Sequence, residues 1–121
     1  MILVDTSVWI DHLHQTETGL TALMAQDRAR LHPLTVQELA VGTLSRRQDV
    51  LALLDPLTAG VPVLSHSELL AFVEANRLWG LGLSAVDAHL LGSTRLIPTG
   101  RLWTRDKRLL ACAQRLSLAH L

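Results

Sequence analysis

A chain of 121 residues that is 49% hydrophobic is long enough to bury about two-thirds of its unfolded surface, so we expect one domain spanning residues 1–121. Its 11 basic and 11 acidic residues cancel, which excludes a general, non-specific attraction to nucleic acid. The longest apolar runs are far shorter than the roughly 18 residues of a membrane span, and the single cysteine, Cys112, excludes an internal disulfide bond, so we expect a soluble protein of the reducing cytoplasm.

The chain begins with a short apolar run, Ile2-Leu3-Val4, which leads directly into an acid, Asp5. This pattern predicts a buried strand, and the stretch 8–13 that follows suits a helix. Asp5 is then expected at the carboxyl end of a strand, where open α/β sheets bind their ligands. The alternative is that Asp5 only caps the N-terminus of the next helix.

The middle of the chain alternates between helix and strand patterns. Residues 20–28 have helical spacing, and residues 31–34 predict a short strand that Pro33 restricts to a strand end. A helix then opens where Thr35 and Glu38 have the spacing of a capping box.

Two further helices are marked by serine caps. The β-branched stretch 61–64 predicts a buried strand, and Ser65 or Ser67 caps the helix after it. The next helix begins at Ser84, again with an acid, Asp87, three residues later.

The end of the chain repeats the pattern of a strand followed by a helix. Residues 101–104 predict a strand that runs into Asp106, residues 109–116 have helical spacing, and residues 118–121 predict a short edge strand. Such alternation is typical of α/β proteins, in which helices cover both faces of a parallel sheet. We therefore predict an α/β domain of three layers, α/β/α, with a mostly parallel central sheet of four to five strands.

Four acids share a position in this architecture. Asp5 and Asp106 directly follow strands, whereas Glu38 and Asp87 are predicted in the first turn of a helix. Because helices that follow strands begin at the carboxyl edge of a parallel sheet, we expect Asp5, Glu38 and Asp106 to gather there, and Asp87 to join them if its helix starts at the same edge. Each acid alone is also explained as a helix cap, which is worth about 0.5 to 2 kcal/mol. Four carboxylates in one crevice, however, repel one another unless a cation neutralises them.

The donor atoms of these acids indicate which cation would bind. Ligation by carboxylate oxygens favours Mg²⁺ or Mn²⁺ over zinc, which prefers His or Cys. The chain has six histidines, but none has the spacing of a zinc site. A hydrated Mg²⁺ leaves room for a phosphate oxygen and an attacking water, so the sequence predicts hydrolysis of phosphodiesters.

The basic residues are concentrated at the end of the chain. From Arg95 onward there are six of them against a single acid, Asp106. A cationic segment beside an acidic site suits a phosphodiester substrate, and Arg105, Lys107 and Arg108 are the candidates for phosphate contacts. The alternative is that these side chains form an ordinary solvated surface.

Four segments cover the whole chain in a characteristic order. They are Val4-Asp5-Thr6-Ser7-Val8-Trp9-Ile10, Glu38-Leu39 with Gly42, Leu83-Ser84-Ala85-Val86-Asp87-Ala88, and Leu102-Trp103-Thr104-Arg105-Asp106-Lys107-Arg108-Leu109. As a set, they resemble the PIN-domain family, and more narrowly the VapC toxins of bacterial type II toxin–antitoxin modules. The resemblance implies a PIN-like fold and a metal-dependent endoribonuclease that cuts RNA, often transfer or ribosomal RNA.

The resemblance also implies roles for single residues. The positions that match the catalytic and metal-binding acids of the family are Asp5, Glu38, Asp87 and Asp106. Thr6 and Thr104 match its supporting polar positions around the metal, and family members differ in whether the acid equivalent to Asp106 contacts metal directly or through water.

Two partners are implied in the same way. Members of the family form homodimers, and a cognate antitoxin holds them inactive. The antitoxin lays an apolar segment along the early helices while an arginine reaches into the acid cluster. Trp9 and Leu13, spaced i and i+4, are candidates for part of that surface, although either residue is equally explained as core.

Other functions fit the sequence less well. A receiver-like signalling domain also groups acids and a lysine around Mg²⁺, and Lys107 would serve there, but such a domain has no use for Glu38 or Asp87. A catalytically inactive RNA-binding module is disfavoured by the intact acids. The G-x-G-x-x-A pattern at residues 80–85 follows a helical segment, whereas a dinucleotide-binding fingerprint follows a strand.

Overall fold

Three short parallel strands form the centre of the computed structural model, which describes residues 1–120. The strands are β1 (Ile2–Val4), β2 (Ala29–Arg30) and β3 (Arg101–Trp103). The helices are α1 (Thr6–His14), α2 (Thr18–Ala25), α3 (Pro33–Val41), α4 (Arg47–Leu54), α5 (His66–Asn76), α6 (Ala85–Leu96) and α7 (Lys107–Arg115), with a short 3-10 helix at Asp55–Thr58. Within residues 1–120, no helix has the length and hydrophobicity of a membrane span.

Strand β1 lies in the middle of the sheet, in the order β2-β1-β3. Ile2 pairs with Ala29 on one side and with Arg101 on the other, and all pairings are parallel. Because the strands are parallel, their carboxyl ends lie at one edge of the sheet. Asp5 and Thr104 directly follow two of these strands at that edge.

The side chains of β1 alternate between two hydrophobic cores, one on each face of the sheet. Ile2 and Val4 pack with apolar residues of α1 to α4, whereas Leu3 packs with residues of α6 and α7. This alternation confirms the prediction of an α/β protein with helices on both faces of a parallel sheet.

The sheet has three strands within residues 1–120, and the prediction of four to five strands was wrong. Residues 61–64 form no strand. Pro62 has no N–H to donate, the Val61 N–H bonds to the Thr58 carbonyl, and Val63 is 54% exposed. The predicted edge strand 118–121 is reduced to one parallel bridge between Leu102 and Ala119, and Leu121 lies outside the described residues.

The second strand and the helix after it both begin earlier than predicted. Strand β2 ends at Arg30, and α3 begins at Pro33, with His32 as its N-cap. His32 Nδ1 accepts the Leu34 N–H at 3.0 Å, and proline suits the first helical position because that residue needs no N–H partner. The predicted capping box of Thr35 and Glu38 therefore does not form, and Glu38 lies in the second turn.

Candidate active site

The Asp5 carboxylate does not cap the helix that follows it. The Asp5 backbone carbonyl accepts the Val8 N–H at 3.1 Å, but its side chain makes no cap hydrogen bond. Instead Oδ2 accepts the hydroxyls of Ser7 at 2.8 Å and of Thr104 at 2.7 Å. The side chain is only 6% exposed, so a buried carboxylate is oriented by two hydroxyls rather than used as a helix cap.

Thr104 connects Asp5 to the segment after β3. Its hydroxyl donates to Asp5 and accepts the Asp106 N–H at 3.1 Å. Asp106 is itself the N-cap of α7, because Oδ1 accepts the Leu109 N–H at 3.0 Å. The two ends of the chain therefore meet at the carboxyl edge of the sheet, as the sequence predicts.

Glu38 reaches the same edge from α3. Its Oε1 accepts the hydroxyl of Thr6 at 2.8 Å, and Thr6 is the residue after Asp5. With no capping box at this helix, the only side-chain hydrogen bond of Glu38 in the described residues is directed at α1. The side chain is exposed, so it is free to bind a ligand there.

Asp87 stabilises the N-terminus of α6 and also interacts electrostatically with the other acids of the site. It forms a capping box with Ser84, in which Oδ2 accepts the Ser84 N–H at 3.0 Å. Partial burial raises the pKa of Asp87, and the negative charges of Asp5 and Asp106 raise it further, against the hydrogen bonds from Ser84 that lower it. The negative charges of Asp5 and Asp106 therefore act on Asp87 from the same edge of the sheet.

The donor set of the site suits a hard cation that keeps part of its water shell. All the candidate ligands are oxygen atoms, and a cation would relieve the repulsion that raises the pKa of Asp87. In residues 1–120, however, no three Asp, Glu, His or Cys side chains lie close enough together to hold a metal ion unaided. Mg²⁺ commonly binds through one or two carboxylates and several waters, so the arrangement fits that ion better than a metal enclosed by protein ligands.

The three candidate phosphate-binding residues differ in what they contact. Arg105 forms ion pairs with Asp11 and Glu17. Lys107 and Arg108 are exposed at the start of α7 and form no ion pair within residues 1–120. Arg108 lies against the loop that precedes α6.

That loop needs a glycine where Arg108 crosses it. Gly82 has a φ of +79°, and a Cβ there would lie 2.7 Å from Nη1 of Arg108. The guanidinium therefore lies near the N-terminus of the helix that carries Asp87.

Ser7 is a member of the site that was not predicted from the sequence. Ser7 donates to Asp5 and accepts the Arg105 N–H at 3.0 Å, so it joins the residues after β1 to those after β3. The available signal was a hydroxyl two residues after the strand-end acid, in the first turn of the helix.

A groove of about 570 Å³ extends from the site between α1, α3 and α4. Thr6 and Glu38 lie among its lining residues, and Leu13, 40% exposed, is one of its apolar side chains. Trp9 was also a candidate for this surface, but it is 2% exposed and belongs to the core with Val8. Of the two interpretations of Trp9, the structure therefore supports the core and excludes the partner surface.

Comparison with known proteins gives one family and two relatives. The model of the PIN domain family matches residues 2–114. Two curated proteins named Ribonuclease VapC32, from the CDC 1551 / Oshkosh and H37Rv strains of Mycobacterium tuberculosis, are each 54% identical over 115 residues. The alignment covers 94% of this chain and 92% of each relative. No solved structure gives a significant match.

Proposed function

This chain belongs to the PIN-domain family, and on that premise we propose that it is an endoribonuclease toxin of a type II toxin–antitoxin module. The curated relatives, 54% identical, are named ribonucleases. The structural observation that carries the proposal is the meeting of Asp5 and Asp106, from opposite ends of the chain, through the hydroxyl of Thr104. Asp87 lies near enough for the charges of both to contribute to its raised pKa, after the larger effect of burial. Such a site suits hydrolysis of phosphodiester bonds with a divalent cation.

We propose Mg²⁺, or Mn²⁺, as the cofactor of this site. The residues that would hold it are Asp5, Glu38, Asp87 and Asp106, with Asp106 binding directly or through water. When bound, the cation lowers the pKa of its water and stabilises negative charge on the leaving oxygen.

The hydroxyl groups around the acids orient them for this role. Thr104 and Ser7 donate to the same oxygen of Asp5, so the carboxylate is held in one rotamer before any ligand binds. Thr6 orients Glu38 in the same way. Hydrogen bonds to a ligating carboxylate are typical of functional metal sites, because they fix its direction.

We place the RNA backbone along the start of α7. Lys107 and Arg108 are exposed there, next to Asp106, and their charges have no carboxylate partner within the described residues. Positive side chains beside the acids would bring phosphate to a site that otherwise repels it.

We propose the groove between α1, α3 and α4 as the surface for the antitoxin. Ile10 and Leu13 offer exposed apolar area in it, and Glu38 lies at the end nearest the acids. An apolar antitoxin segment with one arginine would fit both features. A homodimer in the cytoplasm completes the proposal, as the family resemblance implies.

The test of this function uses purified protein, total RNA and a phosphate donor in parallel. RNA fragments that appear only with Mg²⁺ or Mn²⁺ are the expected result. A stable acyl-phosphate on the protein without RNA cleavage would contradict the proposal and favour a receiver-like domain. An intact RNA pool together with tight RNA binding would favour an inactive binding module.

A further inference from the structure

Arg105 lies at the centre of a small set of ion pairs beside the acid site. Its Nη1 lies 2.6 Å from Oδ2 of Asp11 in α1, and its Nη2 pairs with Glu17, the residue before α2. The guanidinium carbon lies 5.8 Å from the centre of the Trp103 ring, so the cation also contacts an aromatic face. We call Asp11, Glu17 and Arg105 the Arg105 ion-pair cluster.

The position of Arg105 in the chain connects this cluster to the acids. Arg105 stands between Thr104, which donates to Asp5, and Asp106. Its backbone N–H donates to Ser7 Oγ at 3.0 Å, and its side chain reaches Asp11 one turn further along α1. The segment 104–106 is therefore attached to α1 through both its backbone and its side chain.

The same contacts make Arg105 a poor candidate for binding RNA. A phosphate would have to displace two carboxylates that already occupy the guanidinium, and those carboxylates would repel the RNA backbone. In the two salt bridges, each terminal nitrogen of the guanidinium pairs with an oxygen of a different carboxylate. Arginine provides this geometry and lysine does not.

We infer that Arg105 is a positioning residue, which holds the segment 104–106 against α1 so that Thr104 keeps its hydrogen bond to Asp5. This inference rests on the proposed function, because the site that the cluster organises is the proposed nuclease site. Removing the cluster should disturb the site, because the segment 104–106 loses its side-chain attachment to α1. The fold should stay intact, because exposed ion pairs contribute little to global stability.

The test is a mutant cycle that removes the cluster from either side. Arg105→Ala removes the cation, and the double variant Asp11→Asn with Glu17→Gln removes both carboxylates but keeps the arginine. We expect each to lower kcat roughly 3- to 10-fold with KM nearly unchanged, which is less than the roughly 10- to 100-fold effect of losing a direct partner of a metal ligand, because Arg105 acts through Ser7 and Thr104. Combining all three changes should cost no more than either alone.

Two variants provide controls for this cycle. Arg105→Lys should restore only part of the activity, because one ammonium cannot pair with both carboxylates as a guanidinium does. Arg47→Ala removes one exposed charge from α4, a helix that carries none of the candidate acids, and should leave kcat unchanged.

A direct contact between Arg105 and RNA would give a different set of kinetic changes. If Arg105 contacted RNA, Arg105→Ala would raise KM and leave kcat unchanged. The slope of the logarithm of the RNA-binding constant against the logarithm of the salt concentration would also become shallower by about one, the value for one phosphate contact. The Asp11→Asn, Glu17→Gln variant would then keep or improve its activity. Either observation would overturn the inference.

A measurement without substrate separates this inference from the proposed function. The N–H groups of Arg105 and Asp106 bond to Ser7 and Thr104, and we expect their hydrogen exchange to accelerate when the cluster is removed. Unchanged exchange at both would contradict the inference even if the wild-type protein cleaves RNA. Faster exchange in a protein that cleaves no RNA would uphold the contacts and reject the function.

Discussion

The hydroxyl of Thr104 donates to the carboxylate of Asp5 at 2.7 Å, across 99 positions of the chain. Both residues are buried and follow adjacent parallel strands, so this bond joins the ends of β1 and β3 at the functional edge of the sheet. Because Asp5 makes no helix-capping bond, its orientation depends on this contact and on the one from Ser7.

Thr104→Val tests that bond with little change in shape. The variant removes the hydroxyl from Asp5 and the acceptor from the Asp106 N–H, and we expect kcat to fall roughly 10- to 100-fold. Thr104→Ser keeps the hydroxyl and should stay within a few-fold of wild type. Steady-state cleavage of a labelled RNA measures both, and equal activity of the two variants would contradict the role of the bond.

Asp5→Asn removes a charge from the centre of the site at constant volume. We expect a larger loss than for Thr104→Val, about 100-fold or more, because the change affects a proposed metal ligand rather than its orienting partner. Circular dichroism should show an unchanged fold, since the backbone of Asp5 keeps its hydrogen bonds to α1. Cleavage at the wild-type rate would remove Asp5 from the mechanism.

Metal removal should stop the reaction reversibly. EDTA is expected to abolish cleavage, and Mg²⁺ or Mn²⁺ to restore it. Because the pKa of Asp87 is raised, protons compete with the cation at this carboxylate more strongly than at an ordinary aspartate. The Mg²⁺ concentration for half-maximal rate should therefore increase as the pH falls. Full activity in EDTA would contradict the metal-dependent mechanism.

The strand-end acids were predictable because their signal is local. An apolar run ending in an acid indicates both the strand and the edge where the acid lies, and Asp5 follows this rule. Asp106 lies three residues beyond β3, where it caps α7. The Ser84 cap was predictable for the same reason, since a capping box needs only residues three positions apart.

The features that were wrongly predicted or missed depend on contacts between residues far apart in the sequence, or on unusual contacts. Residues 61–64 have strand composition, but a strand needs a partner, which the sequence does not specify. Helix α3 begins early because an imidazole nitrogen of His32 acts as its cap, a role that serine or aspartate usually takes. The pairing of Arg105 with Asp11 and Glu17 joins residues about 90 positions apart, so no local pattern marked it.

The groove between α1, α3 and α4 gives a prediction about the antitoxin. Leu13→Asp places a charge in its apolar lining, and we expect binding of the cognate antitoxin to fall at least tenfold while RNA cleavage is unchanged. Leu70→Asp is the matched control, because Leu70 is 52% exposed on α5, outside the groove. Calorimetry with both variants measures the difference, and equal affinities would exclude this groove.

His32 predicts how the stability of the protein depends on pH. Burial lowers the pKa of His32, and the nearby His89, whose ring centre is 5.8 Å away, contributes to the same shift, so that the pKa falls from an ordinary 6.5 to about 4. Its Nδ1 is already used by the Leu34 N–H, so the folded protein keeps the ring neutral. Between pH 6.5 and 4 the unfolded chain therefore binds more protons than the folded one, and stability must fall as the pH falls through that range.

The expected loss from this single group is about 3 kcal/mol between pH 7 and pH 4. His32→Asn isolates it, because an asparagine oxygen can accept the Leu34 N–H as an N-cap but does not titrate. Urea unfolding at a series of pH values should show a shallower decline for the variant than for wild type, since the remaining carboxylates titrate in both. Parallel declines in the two proteins would contradict this prediction, because His32 would then bind a proton as readily in the folded state as in the unfolded chain. The complete burial of His32 opposes that outcome, since burial disfavours the charged imidazolium.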